Sequence, residues 1–98
     1  MTIEAFLREG TIEIWAYFKR AGSYTSPNQG VKLTVWDSAG TVQVNAQAMS
    51  ENATGKFVYY YTPAAAAEQK WWNCFAIGQH GTGASAKYGV ARGSFYLN

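Results

Sequence analysis

The sequence predicts an all-β fold, an antiparallel β-sandwich of about seven short strands. Three observations predict it. Apolar and polar side chains alternate with period two over several short segments. Turn-forming Gly, Pro, Asn and Ser clusters separate those segments at the spacing of sandwiches and barrels. The one helical-looking stretch, residues 63–67, is too short to hold a helix in water.

Residues 11–19 alternate, with Ile12, Ile14, Ala16 and Phe18 on one side and Glu13, Trp15, Tyr17 and Lys19 on the other. Residues 20–30 are rich in Gly, Ser, Pro and Asn and read as a loop. Alternation resumes at 31–36 with Val31, Leu33 and Val35 inward. Asp37-Ser38-Ala39-Gly40 suits a type I turn, with Asp first and Gly last. Residues 41–44 return as its partner strand, and 45–54 read as polar and irregular with Met49 in the core. Residues 55–62 hold Tyr59-Tyr60-Tyr61 and are strongly β-forming. Residues 70–78 set Trp71, Asn73, Phe75 and Ile77 against Trp72, Cys74 and Ala76, and 79–85 read as a glycine-rich loop tip. Residues 87–97 close the domain. Residues 1–10 read as an N-terminal segment or arm, where Ile3, Ala5 and Leu7 fit a strand and Ile3, Phe6 and Leu7 fit a helix face; residues 11–98 form the domain proper.

At 98 residues the chain suits one domain with a modest core. Cys74 is the only cysteine, so no internal disulfide stabilises it. The opening residues lack a basic region followed by a long apolar run, so no signal peptide is expected. Nor does any stretch approach the ~20 apolar residues of a spanning helix, so no membrane role is expected. A net charge of +2 with scattered bases gives no electrostatic grip on nucleic acid.

Charged residues make up 14% of the chain, against about 25% in an ordinary domain. Aromatics reach 16%, and such rings are enriched at interfaces where Lys, Glu and Asp are depleted. If Ile12, Ile14 and Phe18 face the core, Trp15 and Tyr17 face outward; if Val31, Leu33 and Val35 do, so does Trp36. Tyr60 opposes Phe57, Tyr59 and Tyr61 in the same way. A sandwich has one interior. The candidate interface is therefore Trp15, Tyr17, Trp36 and Tyr60, with Ile3, Phe6 and Leu7 from the N-terminal segment.

The catalytic inventory is thin. Asp37 is the only aspartate and His80 the only histidine, so a Ser-His-Asp triad would need both, with Ser85 or Ser94. Asp37 is better explained by its turn. Cys74, on a strand face, reads as a small apolar residue rather than a nucleophile paired with His80. One His and one Cys cannot supply the ligands zinc needs, so neither metal nor cofactor is expected. The run Gly78-Gln79-His80-Gly81-Thr82-Gly83 lacks the Gly-Lys-Ser/Thr and following helix of a phosphate loop. No catalytic residue is assigned and no enzyme activity is expected.

Three runs carry a resemblance. Val31-Lys32-Leu33-Thr34-Val35-Trp36-Asp37-Ser38-Ala39-Gly40-Thr41-Val42 resembles the strand, Asp-x-x-Gly, strand hairpin of immunoglobulin-like modules. Ala53-Thr54-Gly55-Lys56-Phe57-Val58-Tyr59-Tyr60-Tyr61-Thr62-Pro63 is similar to their Gly-x-Tyr-x-Tyr strand, with Phe57 where tyrosine is common. Arg92, Phe95 and Leu97 match their Arg-x-x-Phe-x-Val finish, although the glycine usually preceding the tryptophan strand is missing at Trp71-Trp72. Over residues 11–98 the chain thus resembles small immunoglobulin-like proteins of tailed-phage virions and bacterial surface proteins. The resemblance implies a non-enzymatic virion structural protein, such as a decoration or minor head protein, made in the host cytoplasm. Its implied partners are a capsid or tail protein lattice and further copies of itself, with the N-terminal arm adding to a neighbour's sheet edge. A carbohydrate- or cell-surface-binding module is the alternative.

Overall fold

The period-two pattern becomes strands wherever one set of side chains can be withdrawn from water. The computed structural model describes residues 2–8, 10–63 and 70–96, with the backbone alone for 6–8. Among the described residues ten strands run in order: β1 (Thr2–Arg8), β2 (Thr11–Tyr17), β3 (Lys19–Arg20), β4 (Ser23–Tyr24), β5 (Val31–Trp36), β6 (Val42–Ala48), β7 (Ser50–Ala53), β8 (Lys56–Tyr61), β9 (Trp71–His80) and β10 (Lys87–Tyr96). A single 3₁₀ turn, Gly83–Ser85, precedes β10, and no α-helix occurs among the described residues. The helical-looking residues 64–67 lie outside those described.

All pairings are antiparallel. One four-stranded sheet has the order β1-β2-β8-β7, the other β10-β9-β5-β6, and β3-β4 form a separate two-stranded ribbon. The fold is all-β, and its two facing sheets are compatible with a sandwich. The strands number ten rather than about seven for two reasons. Residues 45–53, read as irregular, continue as strand; they are polar because β6 and β7 are sheet edges, where few side chains are buried. The loop at 20–30 also contains the β3-β4 ribbon.

One core lies between the sheets. Ile12, Ile14, Ala16 and Phe57 meet Val31, Leu33, Val35, Val44, Trp72, Cys74, Ala76, Ala91 and Phe95. Its filling is graded along β9, whose inward residues shrink from Trp72 through Cys74 and Ala76 to Gly78. At the wide end Trp72 packs with Tyr61 and Phe95, ring centroids 6.1 and 6.2 Å apart. At the other end Phe18, edge-on to Phe57 at 6.0 Å, occupies the space Gly78 leaves. An alanine Cβ at 78 would stand 3.0 Å from Phe18 Cε1. Small and large residues thus alternate across the gap, as close packing requires.

Two features fix the sides of the molecule. β6 and β7 are separated by Met49 alone, yet belong to different sheets; Met49 is buried and its N–H donates to Val31 O at 2.9 Å. On the other side, β1 pairs with β2 from Thr2↔Tyr17 to Arg8↔Thr11. Residues 2–8 are therefore an edge strand of that sheet, the strand alternative of the sequence reading.

Candidate functional site: an aromatic outer sheet face

Alternation that buries Trp72, Cys74 and Ala76 turns their neighbours outward. Together β10, β9 and β5 present five cross-strand rows on the outer face: Tyr96–Trp71, Ser94–Asn73–Trp36, Arg92–Phe75–Thr34, Val90–Ile77–Lys32 and Tyr88–Gln79. At strand spacings of about 4.8 Å and about 6.7 Å per residue pair, these rows cover roughly 27 by 14 Å.

The rings are organised. Trp71 and Tyr96 meet edge to face at 5.6 Å, and Trp36 and Phe75 lie 4.9 Å apart at 35°. Trp71, Tyr88 and Tyr96 remain 60%, 63% and 50% exposed. Between the ring pairs, Ser94 Oγ donates to Asn73 Oδ1 at 2.9 Å. Only Lys32 and Arg92 bring charge to these rows, and no carboxylate does. The nearest one, Asp37, is engaged by its own turn: Oδ1 accepts from the N–H groups of Ala39 and Thr41 at 3.0 and 2.9 Å, and Oδ2 from Gln43 Nε2 at 3.0 Å.

The opposite outer face, on β1-β2-β8, is built differently. Trp15 and Tyr17 stack at 6.4 Å and 11°, and Trp15 Nε1 donates to Glu13 Oε1 at 3.2 Å. Tyr17 abuts Tyr24, whose ring has the ammonium groups of Lys19 and Lys56 each 4.8 Å from its centroid. Burial, and then the Glu4 carboxylate beside it, push the Tyr17 phenol above its ordinary range. Val58 points outward in register with Trp15 and is still 5% exposed. The rings of this face cover the sheet and one another, among charges of both signs.

The sequence-derived interface residues therefore divide. Trp15, Tyr17 and Tyr60 share the charged face, where Tyr60 is 61% exposed and the other two are half-buried. Trp36 lies on the charge-poor face, on the other side of the core. Ile3 does not belong to an exposed surface; it faces inward and packs against the core. The side chains of Phe6 and Leu7 lie outside those described. Trp71, Phe75, Ile77, Tyr88, Val90 and Tyr96 were missed. Their signal was the size of their neighbours: the small set Cys74, Ala76 and Gly78 fits between sheets, so the large set must face out.

The residues weighed for catalysis are far apart or engaged. Asp37 follows Trp36, which pairs with Asn73, whereas His80 lies at the far end of β9. At about 3.3 Å per residue this is a separation of over 20 Å. His80 Nδ1 accepts from Asn28 N–H at 3.4 Å. Cys74 is 3% exposed, burial pushes its thiol up to about 11, and Sγ lies 3.6 Å from Gly93 O. A thiol held protonated in this way is a packing group. No family model, curated protein or solved structure matches the chain.

Proposed function

We propose that this protein is a non-catalytic immunoglobulin-like module that is built into a larger protein assembly through the outer face of β10-β9-β5. Strand order supports the fold reading. Immunoglobulin-like sandwiches place strands A, B, E and D in one sheet and G, F and C in the other, with C′ added in some. Taken in chain order, β1-β2-β8-β7 and β10-β9-β5-β6 follow that arrangement. The observation that carries the functional reading is the contrast between the faces. One is ring-rich and free of carboxylates in its rows; the other carries charges of both signs. Depletion of charge around exposed aromatics is the compositional mark of an interface core. A virion lattice of the tailed-phage kind, with the module as a decoration or minor head protein in many copies, is the assembly the sequence resemblance favours.

Photo-crosslinking groups at positions 71 and 96, with position 60 as the comparison, test this in the native assembly. Trp71 and Tyr96 should crosslink to a protein present in repeated copies, and position 60 should not. Crosslinking only from position 60, or none from any position, overturns the reading. A carbohydrate-binding role is favoured by one arrangement, the exposed Trp71–Tyr96 pair beside the Asn73–Ser94 hydrogen bond. In that case Trp71→Ala should abolish binding on a glycan array.

A further inference from the structure

At the Gly78 end of the sandwich, away from the Trp71–Tyr96 rings, lies a cleft of about 290 Å³. Gly78 and Gly89, directly paired across β9 and β10, line its sheet side. Pro27 seals one wall; a Cβ at position 78 would come within 2.5 Å of its Cγ. Phe18 and Tyr88 also line the cleft.

The rim is cationic. Arg20 approaches from β3, and His80 and Lys87, a cross-strand pair, from β9 and β10; Lys19 also lines the cleft, but its ammonium lies over the Tyr24 ring. Two of the chain's eight Lys and Arg residues and its only histidine therefore meet here. The nearest carboxylate, Glu51, is engaged by the Ser26 hydroxyl, and Ser26 Oγ in turn accepts from Gly55 N–H at 2.8 Å. No carboxylate lines the cleft.

The walls are held before any ligand arrives. Thr25 N–H donates to Phe18 O at 2.9 Å, Gln29 N–H to Gln79 O at 2.9 Å, and Gly81 N–H to Asn28 Oδ1 at 2.8 Å. A preformed concave site with apolar walls and a few convergent polar groups is the usual form of a small-molecule site. The volume lies near the lower end of the usual range, about 300 Å³, and fits one ring-sized unit.

We infer that this cleft binds an acidic sugar unit, its ring against Pro27 and its carboxylate or sulfate among Arg20, Lys87 and His80. The inference is independent of the assembly face. A ring supplies flat C–H surface for the apolar wall, and its acid group supplies the charge the rim lacks a partner for. The attraction weakens as salt rises, because every cation is exposed.

The test is an amide NMR titration of the whole chain with N-acetylglucosamine 6-sulfate, glucuronate, neutral N-acetylglucosamine and inorganic phosphate in parallel. The two acidic sugars should move the signals of Gly78, Lys87 and Gly89, and the neutral sugar should not. The double variant Arg20→Gln/Lys87→Gln, at exposed positions, should bind about tenfold more weakly with an unchanged urea midpoint. Unmoved signals with both acidic sugars overturn the site. Equal affinity for inorganic phosphate overturns the role of the ring, and unchanged binding by the double variant overturns the role of the rim.

Discussion

Ile3 of β1 lies so close against Gly93 of β10 that any side chain at position 93 would overlap its Cγ2. This contact joins the edge of one sheet to the edge of the other. Ile3 is β-branched and stiff, so it cannot swing aside cheaply. Gly93→Ala should therefore destabilise the fold by about 1–3 kcal/mol, the usual range for overpacking. Ile3→Ala should cost about 2–4 kcal/mol by leaving a void. The double variant should be less destabilised than the sum of the two, because each change relieves the other. Urea unfolding of the three variants measures this coupling, and strict additivity would contradict the contact.

Gly55 has a different reason to be glycine. Its φ is +71°, and a Cβ there would stand 2.6 Å from Phe18 O and 2.8 Å from Thr25 N. Both are backbone atoms, and they are bonded to each other at 2.9 Å, while Phe18 N–H donates to Gly55 O at 2.8 Å. Nothing there can rotate out of the way. Gly55→Ala should lose about 2–4 kcal/mol, combining left-handed strain with the clash. It should also disturb Phe18, which shows as shifted ring signals in proton NMR.

Ala46 presents the reverse case, a side chain where the backbone favours none. It sits at φ 47° where β6 carries extra residues opposite Thr34, and its N–H donates to Thr34 Oγ1 at 3.2 Å. Ala46→Gly should raise stability by up to about 1 kcal/mol by relieving the left-handed conformation. Thr34→Val should lower it by about 1 kcal/mol, because the bulge N–H loses its acceptor. Thermal midpoints of both variants decide the matter.

Stability should fall on the alkaline side. The folded state holds the Cys74 thiol protonated to about 11, against an ordinary value of 9.0. A group whose folded value is raised gives full stabilisation below its unfolded value and loses it as pH climbs through the folded one. Tyr17 and Tyr61 are shifted in the same direction, each chiefly by burial, and act in the same sense from about pH 10 upward. Urea midpoints should be level up to about pH 8.5 and then decline through pH 11. Cys74→Ala should flatten the part of that decline between about 9 and 11. Iodoacetamide should leave the native thiol unmodified at pH 8.

What could be read from the residues depended on contrast between neighbours. Residues 11–18 alternate between clear apolar and clear polar side chains, and β2 appears where expected, with Ile12, Ile14 and Ala16 buried. In β9 both alternating sets hold large rings, so period alone assigns two faces without saying which is inside. Trp71 and Trp72 are chemically identical, yet one is 60% exposed and the other fully enclosed. The continuation of β6 past Val44 and all of β7 were hidden for another reason: beyond Val44 and the intervening Met49 they bury little, so they carry no apolar stripe. The basic cleft draws on β3, β9, β10 and the 25–27 loop, which are distant in sequence, and only the folded chain brings them together.

The passage of the chain through Met49 gives the sandwich a spine. With one residue between two strands of opposite sheets, the layers cannot slide past each other on that side or part without breaking the Met49–Val31 hydrogen bond. At the other margin, among the described residues, the edge strands β1 and β10 meet through the side-chain clasp of Ile3 on Gly93. The protein should thus open like a book, with β1 lifting first and the Met49 seam last, so deuterium should enter the β1 amides well before that of Met49.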